Sequence, residues 1–210
     1  MRGRFITFEG GDGAGKTTQI ELLADALARA GQTPLVTREP GGTELAEEIR
    51  NWVLHHASSM DAETEVLLMF AARSHHTREV IEPALESGHW VLCDRYTDAS
   101  YAYQGGGRGL PYSLIASLEK IATGGLKPDL TILLDLTIDA SIQRTGGRGT
   151  NQDRFESEES AFKERVRAAY QDIAATDTER VVNLDASHTV NEIYKNISLL
   201  VRERFGVSID

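Results

Sequence analysis

The sequence predicts an α/β fold: a five-stranded, mostly parallel sheet with helices on both faces. Three observations lead there. Short apolar runs alternate with segments of helical period along the chain, the pattern of parallel strands joined by right-handed crossovers. The run PDLTILLDL, residues 128–136, is apolar almost without a break, as a strand buried on both faces should be. Polar and glycine-rich segments directly follow the first three runs, at the carboxyl ends of the strands, where ligands collect on such sheets.

Phe5 to Glu9 reads as the first strand. The helix after it places Ile20, Leu23, Ala24 and Leu27 on one face, and Gly31 is positioned to end it. PLVTREP gives the second strand and runs into a Gly-Gly turn. A short helix is expected around Leu45 to Leu54, and a longer one from about Thr64 to Glu86. HWVLCD is the third strand. The glycine-rich stretch YQGGGRGLP separates it from a helix around Ser113 to Ala122, and the run at 128–136 is the fourth strand. A helix from Ile138 enters the polar segment TGGRGTNQDRFES. A helix over about Glu159 to Thr176, the strand RVVNLD and a helix marked by Val190, Ile193, Ile197, Leu200 and Val201 complete the chain.

At 210 residues, 40% hydrophobic and 26% charged, the chain suits one domain with a substantial core. A formal net charge of −10 with no basic stripe argues against a nucleic-acid polymer as partner. A small anion held by a few local cations stays compatible with it. The basic residues comprise 17 Arg and 5 Lys, a bias that suits oxyanion binding but that genome composition explains equally well, so position must decide. The lone cysteine, Cys93, lies in an apolar run and reads as a small buried hydrophobe, which suits a reducing cytoplasm. The N-terminal segment MRGRFITFEGG has too short an apolar stretch for a signal peptide and no run approaches the length of a membrane span, so a soluble, intracellular protein is expected, with no membrane partner. Two adjacent histidine pairs, His55–His56 and His75–His76, point to different helix faces. They read as solvated or interface residues rather than metal ligands.

Gly10, Gly15, Lys16 and Thr17 satisfy G-x-x-x-x-G-K-[ST] between a predicted strand and a predicted helix. Glycines let backbone amides turn inward around phosphate oxygens, and the helix N-terminus adds partial positive charge. Gly10, Gly11, Asp12, Gly13, Ala14, Gly15, Lys16, Thr17 and Thr18 therefore form a candidate ATP-binding loop, with Lys16 reaching the terminal phosphates and Thr17 offering a hydroxyl to Mg2+. The dinucleotide fingerprint G-x-G-x-x-G fails here on spacing. LKPD, residues 126–129, lacks the amide or hydroxyl of a guanine-reading element.

The blocks FEGGDGAGKTTQ, TREPGGT, FAAR, CDRYTDASYAYQGGGRGLP, KPDLTILLDL and GGRGTNQDRFESE occur in that order from Phe5 to about Asp185. Together they resemble bacterial thymidylate kinase. The resemblance implies a P-loop fold of the nucleoside monophosphate kinase kind, transfer of the ATP γ-phosphate to dTMP, Mg2+ as cofactor, and a homodimer. It implies that Arg38 and Arg95 hold the dTMP phosphate, for which a bidentate guanidinium is suited. Asp94 is implied near Mg2+, acting through a metal-bound water, with Glu39 a weaker candidate. Asp12 would contact the 3′-hydroxyl of the acceptor sugar and Tyr103 would crowd its 2′ position. Arg73, Gln104 and Ser100 would read thymine. The family's stacking aromatic falls on Met69 here, with Phe70 next to it on nearly the same helix face, so either can take that role.

Phosphoryl transfer needs positive charge beside the moving oxygens. Loop positions 11 to 14 carry none, so the charge is expected from a glycine-bearing lid at about 145–157. The resemblance makes Arg148 the catalytic cation, with Arg144 near ATP and Arg154 as helper or as partner of Asp153. NLDAS, residues 183–187, matches a loop beside adenine.

Overall fold

The computed structural model describes residues 2–56, 60–146 and 154–209. Its five strands are β1 (Phe5–Glu9), β2 (Pro34–Arg38), β3 (Trp90–Asp94), β4 (Leu130–Asp135) and β5 (Val181–Asp185). All neighbouring pairs are parallel, in the order β2-β3-β1-β4-β5. The α-helices are α1 (Lys16–Arg29), α2 (Glu44–Asn51), α3 (Ala62–His76), α4 (Glu82–Glu86), α5 (Thr97–Ser100), α6 (Tyr112–Thr123), α7 (Ile138–Thr145), α8 (Ser160–Thr176) and α9 (Val190–Phe205). From central β1 the chain crosses to β2, beyond β3, while β4 lies on the opposite side. The crevice at β1's carboxyl end is therefore the ligand position of this topology.

Strand alternation divides the core. On one face Ile6, Phe8, Leu92, Ile132 and Leu134 pack against Ile20, Leu23 and Leu27 of α1 and Ile193, Ile197 and Val201 of α9. On the other, Phe5, Val91 and Cys93 meet Ile81 and Leu85, while Leu133 meets Phe162, Val166 and Tyr170 of α8. Thr7 and Thr131 alternate onto this second face, where their hydroxyls bond at 2.7 Å and Arg180 reaches both Thr131 and Asp98. A buried polar stripe thus crosses the second face, and Glu9 belongs to it. Cys93 is buried as its apolar run suggests, and burial pushes its thiol well above the ordinary value.

Two segments differ from the sequence expectation. The long helix at 64–86 starts at α3, where the Asp61 side chain accepts from Thr64 N at 2.6 Å, and passes through a π-helical turn, Thr77–Ile81, into α4. Pro83, with no N–H to donate, sits in the first turn of α4, just past this widening of the ladder. The glycine-rich stretch is helical rather than a break: α5 runs into a π-helical segment, Tyr101–Gly107. A Cβ at Gly106 would lie 2.6 Å from Ala169 Cβ, and one at Gly107 2.5 Å from the Phe162 ring. Those glycines let α8 close on the segment, and Arg165 seals the contact by donating to Gly107 O.

Candidate active site

After β1 the chain turns through Gly10, Gly13 and Gly15 at φ 127, 75 and 93, and α1 begins at Lys16. Side chains rarely adopt such angles, and a Cβ at Gly10 would also strike the Leu134 carbonyl oxygen. The first N–H groups of α1 consequently face the loop. Lys16 is buried; its Nζ donates to Gly10 O and Gly11 O, both at 3.2 Å, and lies 4.0 Å from Asp94 Oδ1. Burial, then the proximity of Arg95, lowers the Lys16 ammonium below its ordinary value, against the pull of Asp94 and Asp12. Helix α7 braces the loop: Ser141 Oγ donates to Asp12 O at 2.7 Å, and Arg144 Nη1 to Gly13 O at 3.3 Å.

Register brings β3's last residue, Asp94, level with Phe8 of β1 and Arg38 of β2. Asp94 Oδ1 is buried and has no hydrogen-bond partner among the described residues. Arg95 follows at φ 73, a left-handed angle unusual for a residue with a side chain. Its Nη1 donates to Gly10 O at 2.9 Å and Tyr170 Oη at 3.2 Å, and its Nη2 to Asp12 Oδ1 at 2.9 Å. The guanidinium also lies 5.0 Å from the Tyr103 ring centre. Burial alone would raise the Asp12 carboxyl, but Arg95, with Lys16 and Lys163, outweighs it and holds the group below its usual value. Arg38 is more exposed, and Glu47 holds its fork through both oxygens at 3.2 and 2.9 Å.

Deeper in, Arg73 donates from Nε to Glu39 Oε2 at 2.6 Å, from Nη1 to Ser100 Oγ at 2.9 Å and from Nη2 to Tyr96 O at 2.9 Å. These bonds take three of its five N–H groups and leave two for a ligand. Gln104 is fixed likewise: its amide nitrogen donates to Glu65 Oε1 at 2.8 Å, so its oxygen is the atom left for a ligand. Glu65 is fully buried and also pairs with Arg108 and Arg154.

Several sequence expectations are corrected by these placements. Phe70 packs among Val66, Leu110 and Ile115 with its ring 4.6 Å from the Arg73 guanidinium, while Met69 lines the pocket. One position around a helix is a rotation of about 100°, enough to separate core from cavity. Glu39 directs one oxygen to Arg73 and the other to His76 Nδ1 at 3.0 Å, so its carboxylate is held by buried protein partners rather than turned toward Thr17 and Asp94. His76 is neither solvated nor at an interface; it is fully buried between Glu39 and Thr37 Oγ1, which lies 2.7 Å from Nε2. Arg154 turns to Glu65 and Met60 O rather than toward the loop. Arg148 and Asp153 lie outside the described residues. Arg50, which carried no motif signal, lines the site beside Arg95.

One cleft is lined by Asp12, Gly13, Gly15, Lys16, Thr17, Thr18, Arg38, Asp94 and Arg95, and a second by Met69, Arg73, Ser100, Tyr103 and Gln104. Both share Asp12, Glu39, Arg50 and Arg95, so they meet at the arginine that follows β3. Among the described residues no cluster of three His, Cys, Asp or Glu could hold a metal unaided. Thr17 and the Asp94 oxygen that accepts no hydrogen bond offer the sparse, hard donor set that Mg2+ uses when substrate phosphates complete its shell.

The family profile described as "Thymidylate kinase" matches residues 8–197. A thymidylate kinase of Cupriavidus metallidurans is 51% identical over 193 residues, covering 92% of this chain and 94% of that protein. One of Pseudomonas putida is 49% identical over 202 residues, covering 96% of each. The crystal structure of thymidylate kinase from Ehrlichia chaffeensis superposes with a TM-score of 0.78 at 33% identity, covering 96% of this chain and 99% of that one. A phosphate loop facing an arginine-lined pocket, on a sheet and sequence shared this widely, makes the chain a member of the thymidylate kinase family.

Proposed function

We propose that the two joined clefts are the donor and acceptor sites of a kinase converting dTMP and ATP to dTDP and ADP, the activity of its family. The observation that carries this is their junction: Asp12 and Arg95 line both, so a nucleotide seated on Arg73 would present its phosphate to the loop that holds ATP.

Specificity follows from the fixed polarity of the base pocket. Arg73 supplies donors and the Gln104 oxygen an acceptor, which matches the O4 acceptor and N3–H donor of thymine. Cytosine reverses both groups and would leave buried polar atoms unpaired, the strongest form of rejection. Ser100 orients Arg73, Met69 gives a soft apolar wall, and Tyr103 and Asp12 border the sugar. Arg38 and Arg95 hold the acceptor phosphate, Lys16 the ATP phosphates, and Thr17 with Asp94 the Mg2+. The metal supplies charge neutralisation at the phosphates. Arg148 completes the cation set in the proposed lid, a role supported by the family blocks and by the absence of charge at loop positions 11 to 14 other than Asp12.

A homodimer is proposed as well, supported by exposed Trp52, Leu67 and Ile121 beside the packed helices α2, α3 and α6. Sedimentation equilibrium tests it. Cytoplasmic location is proposed from the ATP-dependent chemistry and the single buried cysteine. No helix among the described residues is long and apolar enough to cross a membrane. The decisive assay is a panel of dTMP, dUMP, UMP, dGMP and thymidine with ATP and Mg2+, reading ADP. dTMP should give the highest kcat/KM, and a better acceptor among the others would overturn the reading.

A further inference from the structure

Arg95 holds a backbone angle that residues with side chains avoid, at the point where its guanidinium must meet the acceptor phosphate. Three bonds keep it there. Its own N–H continues the β1 ladder to Phe8 O at 2.9 Å, and its carbonyl accepts from Cys93 Sγ at 3.0 Å. The next amide, Tyr96 N–H, is turned inward by the left-handed residue and finds no strand carbonyl. It donates to Glu9 Oε1 at 2.7 Å.

The other oxygen of the same carboxylate, Glu9 Oε2, accepts from the Tyr170 hydroxyl at 2.7 Å. That hydroxyl oxygen in turn accepts from Arg95 Nη1 at 3.2 Å. Glu9 is fully buried, on the polar stripe of the sheet's second face. A buried position at the end of a strand would be better served by an apolar side chain, because an ion here is desolvated.

We propose that Glu9 is a positioning residue for the kinase reaction, gripping Arg95 at both ends: its backbone turn through the Tyr96 amide and its guanidinium through the Tyr170 hydroxyl. Both tasks need an acceptor, and only a carboxylate offers two on one side chain. Glutamine in its place keeps one acceptor but turns an NH2 toward Tyr170. The tyrosine oxygen would then receive from both that NH2 and Arg95, while its own proton lost its acceptor. The inference rests on reading Arg95 as the holder of the dTMP phosphate.

Steady-state kinetics of Glu9→Gln, Tyr170→Phe and Arg95→Ala at about pH 8, where the Glu9 carboxyl of the folded chain is ionised, with dTMP and ATP varied separately, tests it. A lost hydrogen bond to a charged group predicts a rise in KM for dTMP of about tenfold or more in Glu9→Gln and a smaller rise in Tyr170→Phe. KM for ATP should stay within about twofold of wild type in both. A folded Glu9→Gln enzyme with unchanged KM for dTMP overturns the proposal, and so does a parallel rise in both KM values, the mark of a general loosening. Should Glu9→Gln fail to fold, Tyr170→Phe decides alone by the same criterion. If Arg95→Ala leaves KM for dTMP unchanged, the reading of Arg95 falls and takes this proposal with it. If Arg95→Ala raises that KM and the other two variants do not, only the role of Glu9 is refuted.

Discussion

Replacing Glu9 with glutamine should change how stability depends on pH, and the sign can be worked out. Burial first, then the like charge of Asp98, pushes the Glu9 carboxyl from 4.5 up to about 7, while Arg95 and the bonds from Tyr170 and Tyr96 pull it down. Below pH 4.5 both the folded and unfolded chains carry the proton, and the stabilising contribution is complete. As pH rises toward 7 the unfolded chain releases a proton that the fold retains, and the contribution is lost by the time the folded carboxyl ionises. At about 1.4 kcal/mol per pH unit, the loss between about pH 5 and about pH 8 is about 2 to 3 kcal/mol. Glutamine does not titrate, so Glu9→Gln should gain on wild type by that amount over the interval. Urea unfolding of both proteins at the two ends of that interval measures it as a difference of differences. The charged or titratable groups facing Glu9, which include Asp98, Arg95, Arg73, Lys16, Tyr170, Tyr103 and Cys93, are common to both proteins and largely cancel. An equal stability gap at the two pH values would refute the account of Glu9 as a strained buried acid.

Other expectations concern turnover. Lys16→Ala should lower kcat by about 100-fold or more, read by coupled ADP release, because a buried cation at the phosphate loop is lost. Arg148→Ala should lower kcat by about 1000-fold while moving KM for dTMP little; intact turnover would remove Arg148 from the catalytic set. Arg73→Ala should raise KM for dTMP about tenfold and narrow the preference for dTMP over dCMP in the same assay. Glu39→Gln and Glu47→Gln separate buried from exposed arginine partners. The first should raise KM for dTMP about tenfold or more, and the second should change it less than about threefold, since the Arg38–Glu47 pair is largely solvated.

Much of the candidate site's layout was legible because its signals are local. The loop declares itself by glycine spacing, and Arg38, Asp94 and Arg95 by standing at strand ends, which the topology of any parallel sheet turns toward one crevice. What stayed hidden depends on partners far away in sequence. Glu9 reads as the tail of an apolar strand until Tyr170, 161 residues later, is placed against it. His76 reads as one of a surface pair until β2 and the residue after it deliver Thr37 and Glu39. Glu65 carries no motif, and its role follows only from the approach of Gln104 and Arg108. The Met69 and Phe70 alternatives differ by a single helical step of about 100°, and nothing local in the sequence says which of those two faces meets the cavity. Gly105 to Gly107 looked like a chain break because glycine permits turns, yet here they permit close packing instead, Gly105 against α6 and Gly106 and Gly107 against α8.

The three arginines of the proposed acceptor site share a design. Each is oriented by a carboxylate from another part of the chain: Arg38 by Glu47, Arg73 by Glu39, and Arg95 by Asp12 and, through Tyr170, by Glu9. A phosphate-binding guanidinium left to itself would be a flexible cation, repelled by Lys16 and by its fellow arginines. A carboxylate partner fixes the fork before substrate arrives and lowers the mutual repulsion, so less orientational freedom is lost when the phosphate binds. The same pairing reconciles an anionic chain with an anionic substrate. The net charge of −10 is spread over the whole surface, where solvent and salt screen it. The field at the crevice is instead set by paired groups a few ångströms apart, those around Arg73 and Glu39 buried, and there the geometry of individual pairs outweighs the total.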